Sequence, residues 1–182
     1  EYLKKKISAI RSLPESDAGG IAKAFANRYG LSSERVLAGN GTTQFIYSIP
    51  EVLKTRNALI FGPTYSDYAD ACNMRGTEVT YAMAKESDGF IHNLELAENR
   101  IAGSDAVFIC NPNNPTGTLV SGDRIRELYR KHPEVFFIID ESYLPFVPGG
   151  ESESLIHDGA ENILVLTSMS KIFIIPGLRI VF

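Results

Sequence analysis

The sequence has little cysteine, little net charge and no long apolar stretch. Its two cysteines, Cys72 and Cys110, lie far apart and follow neither a CxxC nor a metal-ligand spacing. That excludes a scaffold stapled by disulfides or zinc, and both are read as buried, reduced thiols of a cytosolic protein. Basic residues are not in excess: 18 Lys and Arg stand against 22 Asp and Glu, a net charge of −4. The electrostatic footprint of a nucleic-acid binder is therefore missing. No apolar run approaches the roughly 20 residues of a membrane span, and the opening residues carry no secretory-signal pattern. Repeats, low-complexity tracts and linkers are absent as well, so the 182 residues are read as a single domain, 1–182, large enough for a real core.

What is present is an alternation of short apolar runs with helical patterns. Strands are predicted at Arg35–Ala38, Ala58–Phe61, Thr77–Tyr81, Ala106–Cys110, Val135–Ile139 and Ile163–Leu166, with a last strand-like stretch from Leu178 to Phe182. Helical spacing runs from Thr42 to about Leu53 with Pro50 as a kink or break, from Ser66 to Arg75 with Gly76 as the C-terminal cap, from His92 to Ala102, and from Gly122 to Lys131. Strands apolar on both faces and separated by helices imply a three-layer α/β/α sandwich around a mostly parallel sheet. In such sheets ligands collect beyond the carboxyl ends of the strands, and the polar motifs of this chain all follow apolar runs.

Gly39-Asn40-Gly41-Thr42-Thr43-Gln44 joins a strand to a helix. Glycines admit close backbone approach, and free N–H groups at the helix start suit a phosphate; a tight turn with a helix cap fits the same residues. Gln44 stands where a dinucleotide fingerprint wants a third glycine, and no Walker lysine is present, which disfavours a nicotinamide or P-loop site. Tyr65, in Gly62-Pro63-Thr64-Tyr65-Ser66, leaves a strand just before a helix, as a packing residue or as a ring that stacks on a flat heterocycle. In Asn111-Pro112-Asn113-Asn114-Pro115-Thr116-Gly117 the prolines and glycine fix the loop. Asn114 is either part of the turn or an amide aimed at a phenolate-like oxygen; the Pro115 that follows it rules out glycosylation. Asp140-Glu141-Ser142-Tyr143 places a carboxylate at the end of a buried strand, which needs a partner. A protonated ring nitrogen is one candidate, with the Tyr143 hydroxyl close by; a helix cap is another, and no metal-spaced cluster accompanies it.

Lys171 lies in Thr167-Ser168-Met169-Ser170-Lys171, after the run Ile163–Leu166, and Arg179 follows Pro176-Gly177-Leu178. A lysine at a buried strand end is expected to be poorly solvated, which frees the amine as a nucleophile. Such an amine forms Schiff bases with carbonyl compounds, pyridoxal phosphate among them. Ser168, Ser170 and Arg179 suit a phosphate tail. Taken in order, the motifs describe a pocket for one molecule: a phosphorylated aromatic aldehyde with an acidic ring N–H and a phenolate.

By Asn113-Asn114-Pro115-Thr116-Gly117, by Asp140 with Tyr143, and by Ser168-Met169-Ser170-Lys171 followed by Arg179, the chain resembles the fold-type I pyridoxal-phosphate enzymes, specifically the class I/II aminotransferases. Gly39-Asn40-Gly41 and Ile175-Pro176-Gly177-Leu178-Arg179 resemble the branch that holds histidinol-phosphate aminotransferases and threonine-phosphate decarboxylases. The resemblance covers nearly the whole chain. It implies a Schiff-base and proton-shuttling role for Lys171 and pairing of Asp140 with the pyridinium N–H. It also implies hydrogen bonds from Asn114 and Tyr143 to the 3′ oxygen, stacking by Tyr65, and a phosphate held by Gly41, Thr42, Thr43, Ser168, Ser170 and Arg179. A small amino-acid substrate and a homodimer follow from the same resemblance; no metal is expected, since no metal-spaced cluster is present. Transamination is the leading reaction. A threonine-phosphate decarboxylase and a non-catalytic aminotransferase-like regulatory domain are the alternatives.

The chain departs from the family in two places. In Leu13-Pro14-Glu15-Ser16-Asp17-Ala18, Leu13 stands where many relatives have a tyrosine that reaches the neighbouring subunit's phosphate. The small C-terminal domain, which carries an arginine for the substrate carboxylate, has no counterpart here. With Glu1 in place of an initiating Met and a final strand that stops in mid-pattern, the chain is read as part of a longer protein.

Overall fold

A computed structural model describes residues 2–13 and 15–182, in two units, residues 1–38 and 39–182. The first unit contains helix α1 (Tyr2–Lys5), a 3-10 turn over Ile7–Arg11, helix α2 (Gly19–Tyr29) and a second 3-10 turn at Ser33–Arg35. Helix α2 is a helix that the sequence pattern does not announce, since two glycines open it. Local polar groups supply its start: Asp17 accepts from the Gly19 N–H at 3.0 Å and Glu15 from the Gly20 N–H at 2.6 Å, satisfying N–H groups without intrahelical partners. Gly30, in left-handed backbone at φ +66, ends it. The strand expected at Arg35–Ala38 does not form. Arg35 closes the 3-10 turn, and the strand comes after it, as β1 (Gly39–Asn40). Leu13 is exposed, and Pro14 lies outside the described residues.

The second unit is built on a five-stranded, wholly parallel sheet. Its strands are β2 (Asn57–Gly62), β3 (Glu78–Met83), β4 (Ala106–Cys110), β5 (Phe136–Asp140) and β6 (Ile163–Leu166), in the order β3-β2-β4-β5-β6. Alternate residues of these strands enter different cores. Leu59, Phe61, Val107, Ile109, Phe137 and Ile139 face helices α5 (Leu94–Ile101) and α6 (Gly122–Lys131) through Ala97, Ile101, Ile125 and Leu128. Ala58, Ile60, Ala106, Phe108 and Ile138 face helices α3 (Thr42–Val52) and α4 (Asp67–Met74) through Ile46, Ile49, Ala71 and Cys72. This two-sided burial is why the central strands read as unbroken apolar runs, and it makes the three layers foreseen from them. Pro50 does not break α3, which runs on to Val52.

A short helix α7 (Met169–Ile172) follows β6, and β7 (Ile180–Val181) pairs antiparallel with β1. Thr167 and Phe182 exchange two backbone hydrogen bonds of 2.8 and 3.0 Å. The end of the chain thus clips the Gly39–Gly41 loop to the residues just after β6. Among the described residues no helix is long and apolar enough to cross a membrane.

Candidate active site

The strand order reverses between β2 and β4, because the chain runs outward from β2 to β3 and then returns to the other side of β2. A crevice at the carboxyl ends of such strands is where open α/β sheets bind ligands. A cavity of about 150 Å³ lies there, and all of its lining residues belong to the second unit.

One wall is the start of α3. Gly41 caps the helix with φ +87, and Thr42 and Thr43 form the first turn, all three at the cavity. The Gln44 side chain reaches back to the Asn40 N–H at 2.6 Å. The residue that broke the dinucleotide fingerprint therefore braces the turn. β1–β7 pairing sets Asn40 opposite Ile180, which delivers Arg179 beside Gly41. The guanidinium fills the space that a Cβ on residue 41 would need. Ser168 and Ser170, both buried, complete this polar end of the cavity.

The opposite end is held by loops after β2, β4 and β5. Asn111 exchanges two 2.8 Å hydrogen bonds with the Val120 backbone, and the Asn113 amide donates to the Pro63 carbonyl at 2.8 Å and to Thr116 Oγ1 at 2.7 Å. These two asparagines, as much as the prolines, fix the loop that presents Asn114 to the cavity. Tyr65 also lines it, 37% exposed, with its hydroxyl donating to Asp67 at 2.7 Å. That bond, helped by partial burial, pushes the phenol up to about 12.

Asp140 is the last residue of β5, level with Cys110 on β4 and Leu166 on β6. It is buried, and each of its carboxylate oxygens accepts one bond: Oδ1 from the Ser142 N–H at 2.9 Å and Oδ2 from the Tyr68 hydroxyl at 2.8 Å. Burial and the adjacent carboxylate push the Tyr68 phenol far up, so it stays a donor, and they raise the Cys110 thiol to about 12. Tyr143 lies between Asp140 and the lysine. The Lys171 Nζ sits 5.5 Å from the centroid of the Tyr143 ring, within cation–π range.

Lys171 departs from the sequence expectation in one respect. It is exposed, and it stands on the single turn of α7, five residues past the end of β6. The polar groups it shares the cavity with distinguish it from an ordinary surface lysine. All eleven residues singled out from the sequence line this one cavity: Gly41, Thr42, Thr43, Tyr65, Asn114, Asp140, Tyr143, Ser168, Ser170, Lys171 and Arg179. Tyr68, Cys110, Ser142 and Pro176 join them without having been singled out. Tyr68 and Cys110 carry core-type patterns in the sequence, which give no hint of a cavity wall.

The fold is a three-layer α/β/α unit with an amine, a buried carboxylate and an arginine on one cavity at the carboxyl edge of a parallel sheet. The family model for class I and II aminotransferases matches residues 8–182, and the chain belongs to that family, whose enzymes depend on pyridoxal phosphate. It is 30% identical over 96% of its length to a threonine-phosphate decarboxylase of Salmonella typhimurium. Against a histidinol-phosphate aminotransferase of Paenarthrobacter aurescens the figures are 32% and 95%. In each case it spans 48% of the relative. Among solved structures, the L-threonine-O-3-phosphate decarboxylase of Porphyromonas gingivalis superposes with a TM-score of 0.82 at 32% identity, over 98% of this chain and 53% of that one. The chain thus spans about half the length of these relatives.

The residues present fit the cofactor. The missing Cβ of Gly41 lets the Arg179 guanidinium sit beside the start of α3, and a guanidinium at a helix N-terminus is a donor set for a dianionic phosphate. At the far end, Asp140 retains lone pairs beyond the two bonds it accepts.

Proposed function

We propose that the protein is a pyridoxal-phosphate-dependent aminotransferase that moves an amino group between an amino acid, or an amino-acid phosphate, and a 2-oxo acid. The observation that carries this reading is the convergence of Lys171, Asp140, Asn114, Tyr143, Tyr65 and Arg179 on one cavity. Bound there, pyridoxal phosphate would supply an aldehyde that condenses with amines and a protonated ring that draws electron density from the substrate's Cα.

Each residue then has a defined task. Arg179, Ser168, Ser170 and the Gly41–Thr43 turn hold the phosphate. Tyr65 covers a ring face, and Asn114 and Tyr143 donate to the phenolic oxygen. Asp140 keeps the proton on the ring nitrogen. Lys171 Nζ would hold the cofactor covalently and would serve as the base that moves a proton at the substrate's Cα. By family resemblance the working protein is a homodimer, which light scattering on the full-length protein would show. Its two free, buried thiols favour the cytoplasm.

The test is chemical. Full-length protein incubated with pyridoxal phosphate and reduced with borohydride should carry the cofactor on Lys171 in a peptide map. Lys171→Ala should lose both that label and the near-visible absorbance; an unchanged spectrum in the variant would sink the assignment.

A decarboxylase reading draws on the 30–32% identity to two threonine-phosphate decarboxylases, which the 32% identity to a histidinol-phosphate aminotransferase equals. The same cofactor residues serve either reaction, which differ in the Cα bond set perpendicular to the ring. Incubation with threonine phosphate separates them: carbon dioxide release supports decarboxylation, and keto-acid formation supports transamination.

A further inference from the structure

We propose that Tyr68 is a positioning residue for the cofactor: its buried hydroxyl fixes the plane of the Asp140 carboxylate and so sets how tightly the site holds a protonated ring nitrogen. This rests on the reading of the site given above, and it goes beyond it by assigning a residue outside the eleven.

Tyr68 lies on α4, 72 residues before Asp140, and meets it because the sheet order sets β4 beside β2 and β5 beside β4. It cannot swing away. It is 1% exposed, its ring stacks on Phe108 at 5.7 Å and 30°, and Tyr65 meets it edge-on at 5.8 Å and 84°. With Oδ2 bound to this phenol and Oδ1 to the Ser142 N–H, the carboxylate is anchored at both oxygens. An anchored carboxylate presents its remaining lone pairs to the cavity in one orientation. Both of these bonds come from donors, so the lone pairs left over face the cavity as acceptors, which a ring N–H needs. Tyr68 itself does not yield its proton, since burial and Asp140 hold it on the phenol.

An ordinary core tyrosine also needs a partner for its hydroxyl. The two roles differ in what the hydroxyl's loss does: a packing role alters stability alone, whereas a positioning role alters the grip on a ring nitrogen. The experiment is a titration of the cofactor-free full chain with pyridoxal phosphate and with its 1-deaza analogue, in which carbon replaces the ring nitrogen. Wild type and Tyr68→Phe are compared, with thermal unfolding of both cofactor-free proteins alongside.

Loss of a hydrogen bond to a charged group should weaken pyridoxal phosphate on the order of tenfold, and the analogue by less than about twofold, within the scatter of a lost neutral contact. Equal weakening of both ligands, or of neither, overturns the proposal. If Tyr68→Phe alone prevents folding by stranding a buried anion, the substitution is made in Asp140→Asn, where that anion is gone. There the proposal expects no further loss of pyridoxal phosphate affinity, and a further loss overturns it. Failure of the wild-type chain to bind pyridoxal phosphate would instead remove the functional reading itself, and this inference with it.

Discussion

Arg179 occupies, with its guanidinium, the space that a side chain on Gly41 would need. The two residues are 138 positions apart in sequence, and the pairing of β1 with β7 brings them together. Both have positive φ, +87 at Gly41 and +52 at Arg179. A non-glycine residue in that region is uncommon, so the backbone at Arg179 carries strain on account of where its side chain must go. Strain of this kind concentrates at ligand clamps.

Gly41→Ala separates stability from binding. Backbone strain at residue 41 should cost roughly 1–3 kcal/mol, which lowers the melting temperature by several degrees in a chain of this size. The overlap itself is relieved cheaply, because the atoms in the way are the far end of a flexible side chain. Relief means moving the guanidinium out of the cradle, so affinity for pyridoxal phosphate should fall more than tenfold, since a charge-assisted contact is lost. Thermal unfolding and a fluorescence titration check the two halves. Unchanged affinity would show that Arg179 does not contact the anion.

Much of this arrangement is legible in the chain before any coordinates. Ala106–Cys110, Gly122–Lys131 and Ile163–Leu166 form at the boundaries that their patterns predict; solvent exclusion sets the first two, a strand buried on both faces and an amphipathic helix, whereas the third is an edge strand with Leu164 exposed. That the eleven candidate residues line one cavity has two sources: Tyr65, Asn114, Asp140, Tyr143, Ser168, Ser170 and Lys171 follow strands of the parallel sheet, whereas Gly41, Thr42, Thr43 and Arg179 are brought in by the β1–β7 pair. What was not legible depends on particular side-chain contacts, local ones at α2 and tertiary ones at Tyr68. Helix α2 begins on glycines, and its N-terminus rests on the Glu15 and Asp17 carboxylates. Val36 and Leu37 have strand propensity but no ladder to join. Tyr68 has a core pattern, and its hydroxyl acquires meaning only because Asp140, 72 residues away, lies 2.8 Å from it. Lys171 was expected to be poorly solvated at a buried strand end, and it is exposed on the single turn of α7.

Both thiols should be inert in the folded chain. Cys72 is fully buried and its thiol is pushed up to about 11 by burial; Cys110 borders the cavity and reaches about 12 through burial and the Asp140 charge. The reactive species is the thiolate, so near pH 8 neither should react with a disulfide reagent until denaturant is added, when two thiols per chain should titrate. Rapid reaction of one thiol in native buffer would contradict the burial of that side chain.

Glu141 should make the fold less stable as the solution becomes more alkaline. Its carboxylate is buried beside Asp140 and accepts from Ser154 Oγ at 2.6 Å and the Leu155 N–H at 2.8 Å, tying down the segment that follows β5. Burial pushes it up to about 7 from an ordinary value of 4.5, and the two hydrogen bonds offset only part of the shift. Between those values the folded chain binds more protons than the unfolded one, so raising the pH favours unfolding. The contribution is whole below the ordinary carboxyl value and is lost as the pH rises through about 7. Its ceiling is roughly 3 kcal/mol. Glu141→Gln can keep both contacts, with Oε1 accepting from Leu155 and the amide donating to Ser154, but it cannot ionise. Urea unfolding should find the variant close to wild type at pH 5 and more stable than wild type at pH 8. A stability difference that did not change with pH would mean that Glu141 does not titrate in this range.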